Sequence, residues 1–137
     1  MVRKNQKKEP EDINFEIQFY ENILKRKPDF IQALMALGDL YTKKGLHREG
    51  LVLDQKLAQL RPYNPGVLYN LACSYSLLNE IPKALAAIEK AIECGYHDFG
   101  YLERDPDLEN LRGDIHARKY IAEVKNKYLT KIDHQKQ

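Results

Sequence analysis

The sequence predicts an all-α fold built from repeated helical hairpins. The pattern L-x-x-L-G-x-x-Y that begins at Leu34 returns 34 residues later as L-x-x-L-A-x-x-Y, beginning at Leu68. Between and around these octets, apolar residues recur at the three-and-four spacing that places them on one face of a helix. With 137 residues, 43% of them hydrophobic, the chain has room for one domain. A repeated hairpin favours a binding surface over a reaction centre.

The first predicted helix covers residues 11–26. Acidic side chains begin it and basic ones end it, as the helix dipole favours, and Pro28 prevents its continuation. One buried stripe is expected to contain its apolar residues: Ile13, Ile17, Phe19, Tyr20, Ile23 and Leu24.

The next two predicted helices form a hairpin. Residues 30–44 follow Asp29, the expected N-cap, and end before Gly45. Gly38 in mid-helix costs about 1 kcal/mol relative to Ala, which close approach of a neighbouring helix backbone would offset. In the second helix, residues 47–60, Asp54 falls at an expected core position, so either the packing there is loose or Leu53 takes the inner place.

A second hairpin has the same layout. Asn64 and Pro65 supply an N-cap and a first-turn proline for a helix that ends near Asn79. Another helix runs over residues 82–94 and ends at Gly95. Adding 34 to the residue numbers of the inward-facing residues in the first hairpin gives the inward-facing residues of the second. Subtracting 34 from the inward-facing residues of the helix at 47–60 gives the apolar residues of the first helix. That helix is therefore the second half of a repeat whose first half is missing.

The period and the octets resemble the tetratricopeptide repeat (TPR) family over residues 11–95. This resemblance implies a right-handed α-solenoid of TPR hairpins, with a partial repeat at residues 11–27 and full repeats at residues 28–62 and 63–95. Residues 96–113 resemble the degenerate closing segment of short TPR proteins, in which Asp105 would cap a turn begun by Pro106. After the expected N-cap Asp114, residues 114–131 predict a C-terminal capping helix. The ends are expected to be a basic disordered leader, residues 1–10, and a polar tail, residues 132–137.

The polar residues do not predict an enzyme. The sequence has no H-E-x-x-H, no G-x-S-x-G and no phosphate-binding glycine loop. Cys73 and Cys94 lie in apolar helical patterns with no C-x-x-C pair, which favours core positions over a metal site. The acidic residues between Asp98 and Asp114 lack the order of a calcium loop. We expect no catalysis, no cofactor, no metal and no small-molecule substrate.

The resemblance implies a protein-binding groove. In stacked TPR hairpins the first helix of each pair lines a concave surface, and helical spacing then places these residues in it: Gln32, Met35, Asp39, Thr42, Lys43, Gly66, Tyr69, Asn70, Cys73, Ser76 and Leu77. Adaptable Met, amphipathic Tyr and hydrogen-bonding Asn suit an extended peptide segment or a helix of another protein. The predicted function is a protein–protein interaction module, an adaptor or scaffold.

Two alternatives remain open from the sequence. The missing half-repeat would leave the first helix with an uncovered side, which predicts a homo-oligomeric scaffold assembling through exposed solenoid ends. The basic ends, with seven Lys or Arg against three Asp or Glu from residue 112 onward, suggest attachment to nucleic acid or an anionic membrane. Because the formal net charge is only +2, we do not expect either of those two partners. A cytoplasmic location is predicted, since the start resembles no secretory signal.

Overall fold

The computed structural model describes residues 10–136, with side chains from residue 11 onward. The described chain is helical with no strand, which confirms the all-α prediction. Its helices are α1 (Pro10–Arg26), α2 (Ile31–Lys43), α3 (His47–Leu60), α4 (Pro65–Leu77), α5 (Ile81–Glu93), α6 (Phe99–Arg104), α7 (Glu109–Arg112) and α8 (Ile115–Gln135), with a 3₁₀ turn at Pro106–Leu108 between α6 and α7. The predicted basic leader, apart from residue 10, lies outside the described residues.

The chain forms two compact units, Met1–Leu60 and Arg61–Gln137. In the first unit, α2 packs against both α1 and α3. In the second unit, α4 packs against α5, against the 3₁₀ turn and against α7, and α7 packs against α8. The predicted pairings of helices into hairpins, α2 with α3 and α4 with α5, are therefore present.

The core of the first unit lies where α1 crosses α2. Ile17, Leu37 and Leu40 are buried there, and partly buried side chains surround them: Ile13, Tyr20, Leu24, Tyr41 and Leu53. The Tyr41 hydroxyl adds a polar link between the two helices by donating to Glu21 Oε1 at 2.7 Å.

The prediction that Phe19 belongs to the buried stripe is wrong. Its side chain is 53% exposed. Two residues along a helix correspond to a rotation of about 200°, so a residue two positions after the buried Ile17 lies on the opposite side. The 34-residue repeat predicted a buried position for Phe19 because Phe19 lies 34 residues before Leu53. Leu53 is itself only partly buried.

The signals for helix ends are mostly confirmed. The Asn64 side chain accepts a hydrogen bond from the Val67 amide at 3.0 Å and caps α4. Gly45, Asn79 and Gly95 have φ of 81°, 58° and 113°, the left-handed conformation that ends helices. The Asp29 cap is wrong, because α2 begins after Phe30 without a side-chain cap. The Asp29 carboxylate instead lies 3.2 Å from Lys56 Nζ on α3.

The surroundings of Gly38 agree with the expectation only in part. The Gly38 carbonyl lies 3.9 Å from a Cβ built on Gly50 of α3, so the two helix backbones do come close here, but a Cβ added at Gly38 itself would meet only the Asp54 carboxylate, at 3.6 Å, an ordinary contact with a side chain. Asp54 is buried and Leu53 is partly buried, so α3 directs both residues inward. No steric reason therefore requires glycine at position 38.

Gly38→Ala should stabilise the chain by about 0.5 to 1 kcal/mol, because alanine loses less backbone entropy in a helix and the added methyl fits. Urea denaturation measures this free energy of unfolding. Gly45→Ala is the matched control and should be destabilising, since φ is 81° at that position and a Cβ is strained there. A loss of stability in Gly38→Ala would contradict the open packing around the Gly38 α-carbon.

The last helix, α8, packs within the second unit. Ala117 and Ile121 are buried, and the Tyr128 ring lies 5.6 Å from the Phe99 ring between centroids. Asp114 caps the helix as predicted, accepting from the Ala117 amide at 2.9 Å. The helix continues to Gln135, beyond the predicted end at residue 131, because no glycine or proline interrupts it. Among the described residues, no helix has the length and apolar content to cross a membrane.

Candidate functional site

The predicted groove residues of the first unit lie on the exposed face of α2. Gln32, Asp39 and Lys43 are exposed and Thr42 is half-buried. Met35, at 49% exposure, is the apolar member of this face. Lys43 Nζ lies 3.0 Å from the Asp39 carboxylate one turn earlier. The opposite face of α2 is buried by packing: Ala33, Leu34, Leu37, Gly38 and Leu40.

In the second unit the predicted groove residues have a different environment. Gly66 and Asn70 are exposed and Leu77 is half-buried, whereas Tyr69, Cys73 and Ser76 are buried. The closing segment, residues 96–113, covers these three side chains through its 3₁₀ turn and α7, which pack on α4. A partner-binding role for the three buried residues stays a prediction, and it now requires that the closing segment move away.

Asp105 is the polar centre of this contact. As the sequence predicts, its carboxylate caps the 3₁₀ turn by accepting from the Asp107 amide at 3.0 Å. Its other oxygen accepts from the Tyr69 hydroxyl at 2.6 Å and from the Cys73 thiol at 3.8 Å. Asp105 is only 4% exposed, so its hydrogen bonds compensate for burying a carboxylate. The Asp105 side chain, directly after the end of α6, therefore also attaches the closing segment to α4.

A second set of hydrogen bonds joins α7 to the end of α4. The Ser76 hydroxyl accepts from the Leu111 amide at 3.1 Å, and the Ser76 carbonyl accepts from the Asn110 side-chain amide at 3.0 Å. Within the closing segment, Arg112 Nη1 donates to the carbonyls of Leu102 and Asp105, at 2.8 Å and 2.6 Å. Helix α6, the 3₁₀ turn and α7 are thus held as one piece on α4.

Tyrosine rings continue this packing around Tyr69. The Tyr96 ring stacks on the Tyr69 ring with 4.5 Å between centroids and 15° between planes, and the Tyr101 ring lies 6.0 Å away. Burial and the hydrogen bond to Asp105 raise the pKa of Tyr69 above its usual value. Burial also raises the pKa of Tyr96 to about 12. Both hydroxyls therefore stay protonated at neutral pH, and Tyr69 acts as a donor in the contact.

One group of side chains in the described chain brings metal-ligand atoms together. The Cys73 thiol and the carboxylates of Asp105 and Asp107 place one ligand atom each within 4.8 Å of one another. Hydrogen bonds from Tyr69, Cys73 and the Asp107 amide already occupy the Asp105 carboxylate. The geometry of this group is therefore explained by its role in attaching the closing segment.

The basic C-terminal region lies mainly on the exposed side of α8. Arg118, Lys119 and Lys127 are exposed, while Lys125 Nζ lies 2.7 Å from the Glu103 carboxylate on α6. One of the basic side chains of this region is therefore used to hold α8 against the closing segment. Attachment to nucleic acid or to a membrane stays a prediction.

The contact between α4 and the closing segment is what sequence reasoning missed. Its partners are separated by 36 residues for Tyr69 and Asp105 and by 35 for Ser76 and Leu111, and no periodic pattern connects them. One difference between the helices is visible in the sequence: the charged Asp39 of α2 corresponds to the uncharged Cys73 of α4.

Comparison with known proteins gives distant relatives. No protein-family model matches the chain. The chain is 37% identical over 102 residues to a chloroplastic protein of Arabidopsis thaliana, a match that covers 71% of this chain and 30% of that protein. It is 30% identical over 108 residues to the peroxisomal targeting signal receptors of Komagataella phaffii and Komagataella pastoris, covering 77% of this chain and 18% of each receptor. The chain thus spans less than a third of the length of these relatives.

Proposed function

We propose that this chain is a TPR-type protein-interaction module that binds a segment of another protein through the exposed face of α2. The support for the repeat type is the octet that returns after 34 residues, together with the two helical hairpins of the structure. Similarity to proteins named as receptors for a targeting signal favours recognition of a protein segment. A role as adaptor or scaffold and a cytoplasmic location belong to the same proposal.

The observation that carries the proposal is the chemistry of the α2 face. An exposed methionine lies between amide and charged side chains on a helix whose other face is buried. Methionine adapts its shape to varied apolar partners, while Gln32 offers both donors and acceptors to a peptide backbone. Asp39 and Lys43 neutralise each other at 3.0 Å, so the face carries no net charge that would restrict the partner to one sign.

The predicted groove residues of α4 differ in whether a partner can reach them. Asn70 is exposed and is available to a partner on the second unit without rearrangement. Tyr69 is buried and hydrogen-bonded to Asp105, so Tyr69→Ala would disturb the closing segment as well as any binding. Asn70→Ala is therefore the informative substitution on α4.

Met35→Asp should weaken partner binding by about tenfold or more, because it places a charge where an apolar side chain would be covered. The probe is a peptide selected against the full chain from a random phage-displayed library, and fluorescence anisotropy measures its affinity. Val52→Asp is the matched control, since Val52 is an exposed apolar residue of the same unit, on α3 at 63% exposure, and it should leave the affinity unchanged. Equal losses in both variants, or no selectable peptide, would refute binding at the α2 face.

A further inference from the structure

Helix α1 has a second, outward face with the spacing of a helix seam. Five exposed residues follow one another at intervals of three, four, three and four: Asp12, Phe15, Phe19, Asn22 and Arg26. This alternation is the spacing by which one helix packs along another. Phe15 and Phe19 in its centre are 74% and 53% exposed. We call these five residues the α1 outer seam.

The outer seam is distinct from the face that α1 uses inside the first unit. The inner face packs on Leu37 and Leu40 through Ile17, with Ile13, Tyr20 and Leu24 around it. Single exposed apolar residues are ordinary on protein surfaces, but here two phenylalanines lie one turn apart on the same side. Beside them is a surface depression of about 430 Å³, lined by Phe19, Asn22, Ile23, Lys25 and Arg26. The seam can therefore accept side chains from a facing helix.

The order of charges along α1 indicates what this facing helix is. Glu11 and Asp12 lie in the first turn, and Lys25 and Arg26 lie in the last turn. A second α1 placed antiparallel brings the acidic end of each helix against the basic end of the other, whereas a parallel copy would align like charges. We infer that the α1 outer seam binds the same seam of a second copy of this chain, in antiparallel orientation.

Pairing the charged ends sets a register for this dimer. With Phe19 on the two-fold axis, residues equally far from it on either side face each other across the interface. Asp12 and Arg26 are each seven positions away, so they pair in two symmetric ion pairs. Phe15 and Ile23 are each four positions away, so each Phe15 faces Ile23, a half-buried residue beside the seam that lines the depression. The oppositely charged ends of α1 are self-complementary in this orientation, so the dimer needs no other protein, and it uses a surface separate from the α2 face.

One helix per copy makes a small interface, so the dimer should form in a concentration-dependent way, with a dissociation constant of roughly 1 to 100 µM. Sedimentation velocity of the full chain across that range measures it. Phe15→Ser with Phe19→Ser should leave a monomer throughout, while Val52→Ser, an exposed apolar control on α3, should dimerise like the wild type. A monomeric wild type, or a dimer that persists in the double variant, would overturn the inference.

Charge reversal tests the pairing without removing apolar contacts. Asp12→Arg and Arg26→Asp should each weaken the dimer by about tenfold or more, because each replaces two attractive pairs with two repulsive ones. A mixture of the two variants should recover dimers, since the reversed charges then match across the interface. Circular dichroism melting of each variant checks that the fold is retained. Failure of the mixture to associate would exclude the Asp12–Arg26 pairing.

Photo-crosslinking distinguishes an antiparallel dimer from a parallel one and identifies which segment lies on the α1 outer seam. With benzoylphenylalanine in place of Phe15 in the full chain, irradiation followed by peptide mass spectrometry should give adducts near Ile23 of a second copy. Adducts near position 15 of a second copy would indicate a parallel dimer and overturn the proposed orientation. Adducts with residues 1–9 of the same chain would show that the seam is covered from within, which would overturn dimerisation through it.

Discussion

Asp105→Ala should lower the free energy of unfolding of the second unit by roughly 3 to 4 kcal/mol. The substitution removes the acceptor of the Tyr69 hydroxyl, at 2.6 Å, and of the Asp107 amide, at 3.0 Å. Tyr69 is only 6% exposed, so its hydroxyl would lose its acceptor without gaining water. The Tyr69 hydrogen bond to a charged group contributes about 1.5 to 3 kcal/mol, and the Asp107 amide bond, which is the turn cap, about 1 kcal/mol more. Chemical denaturation followed by tyrosine fluorescence measures the loss.

Two other substitutions separate the roles of Asp105. Asp98→Ala removes an aspartate that also caps a helix of the closing segment, accepting from the Tyr101 amide at 3.1 Å. Since Asp98 is exposed, its loss should cost only about 1 kcal/mol. Asp105→Asn keeps an acceptor oxygen for Tyr69 and should fall between the two alanine variants. Equal effects of Asp98→Ala and Asp105→Ala would mean that Asp105 acts as a local cap alone.

Leu37→Ala should destabilise the first unit by about 2 to 5 kcal/mol, the range for deleting a buried leucine side chain. Leu37 is 2% exposed and lies in the cluster with Ile17 and Leu40, where the helices enclose it and cannot easily collapse into the space. Urea denaturation gives the value. Met35→Ala, two residues earlier on the exposed face of the same helix, should change stability by less than about 0.5 kcal/mol. Comparable losses in the two variants would mean that the faces of α2 are assigned wrongly.

Features governed by neighbours in sequence could be predicted closely. Asn64, Asp105 and Asp114 act as caps as expected, because each accepts from an amide two or three residues further on. Gly45 and Gly95 end their helices with positive φ for an equally local reason. Asp29 does not cap α2, because the helix begins one residue later, after Phe30. Its exposed carboxylate lies 3.2 Å from Lys56 Nζ on α3 instead, a long-range contact that the sequence pattern does not show.

The site was less predictable than the helices. Spacing correctly distinguishes the buried and exposed faces of α2, since that helix packs on its neighbours in sequence. The same spacing applied to α4 cannot show that Tyr69, Cys73 and Ser76 are buried, because the closing segment that covers them does not follow the repeat. Phe19 illustrates the opposite error: the 34-residue repeat was extended into α1, and an exposed residue was predicted to be buried.

The hydrogen bond from the Leu111 amide to the Ser76 hydroxyl provides a built-in probe of motion. This amide donates across to a side chain on α4, so its protection from hydrogen exchange depends on docking of the closing segment. Comparing its exchange rate with that of amides inside α4 separates detachment of the closing segment from unfolding of the whole unit. If the closing segment detaches at a lower free energy than global unfolding, Tyr69 and Cys73 come into contact with solvent from time to time. The exchange rate of the Leu111 amide then gives the frequency of this exposure in the unmodified protein.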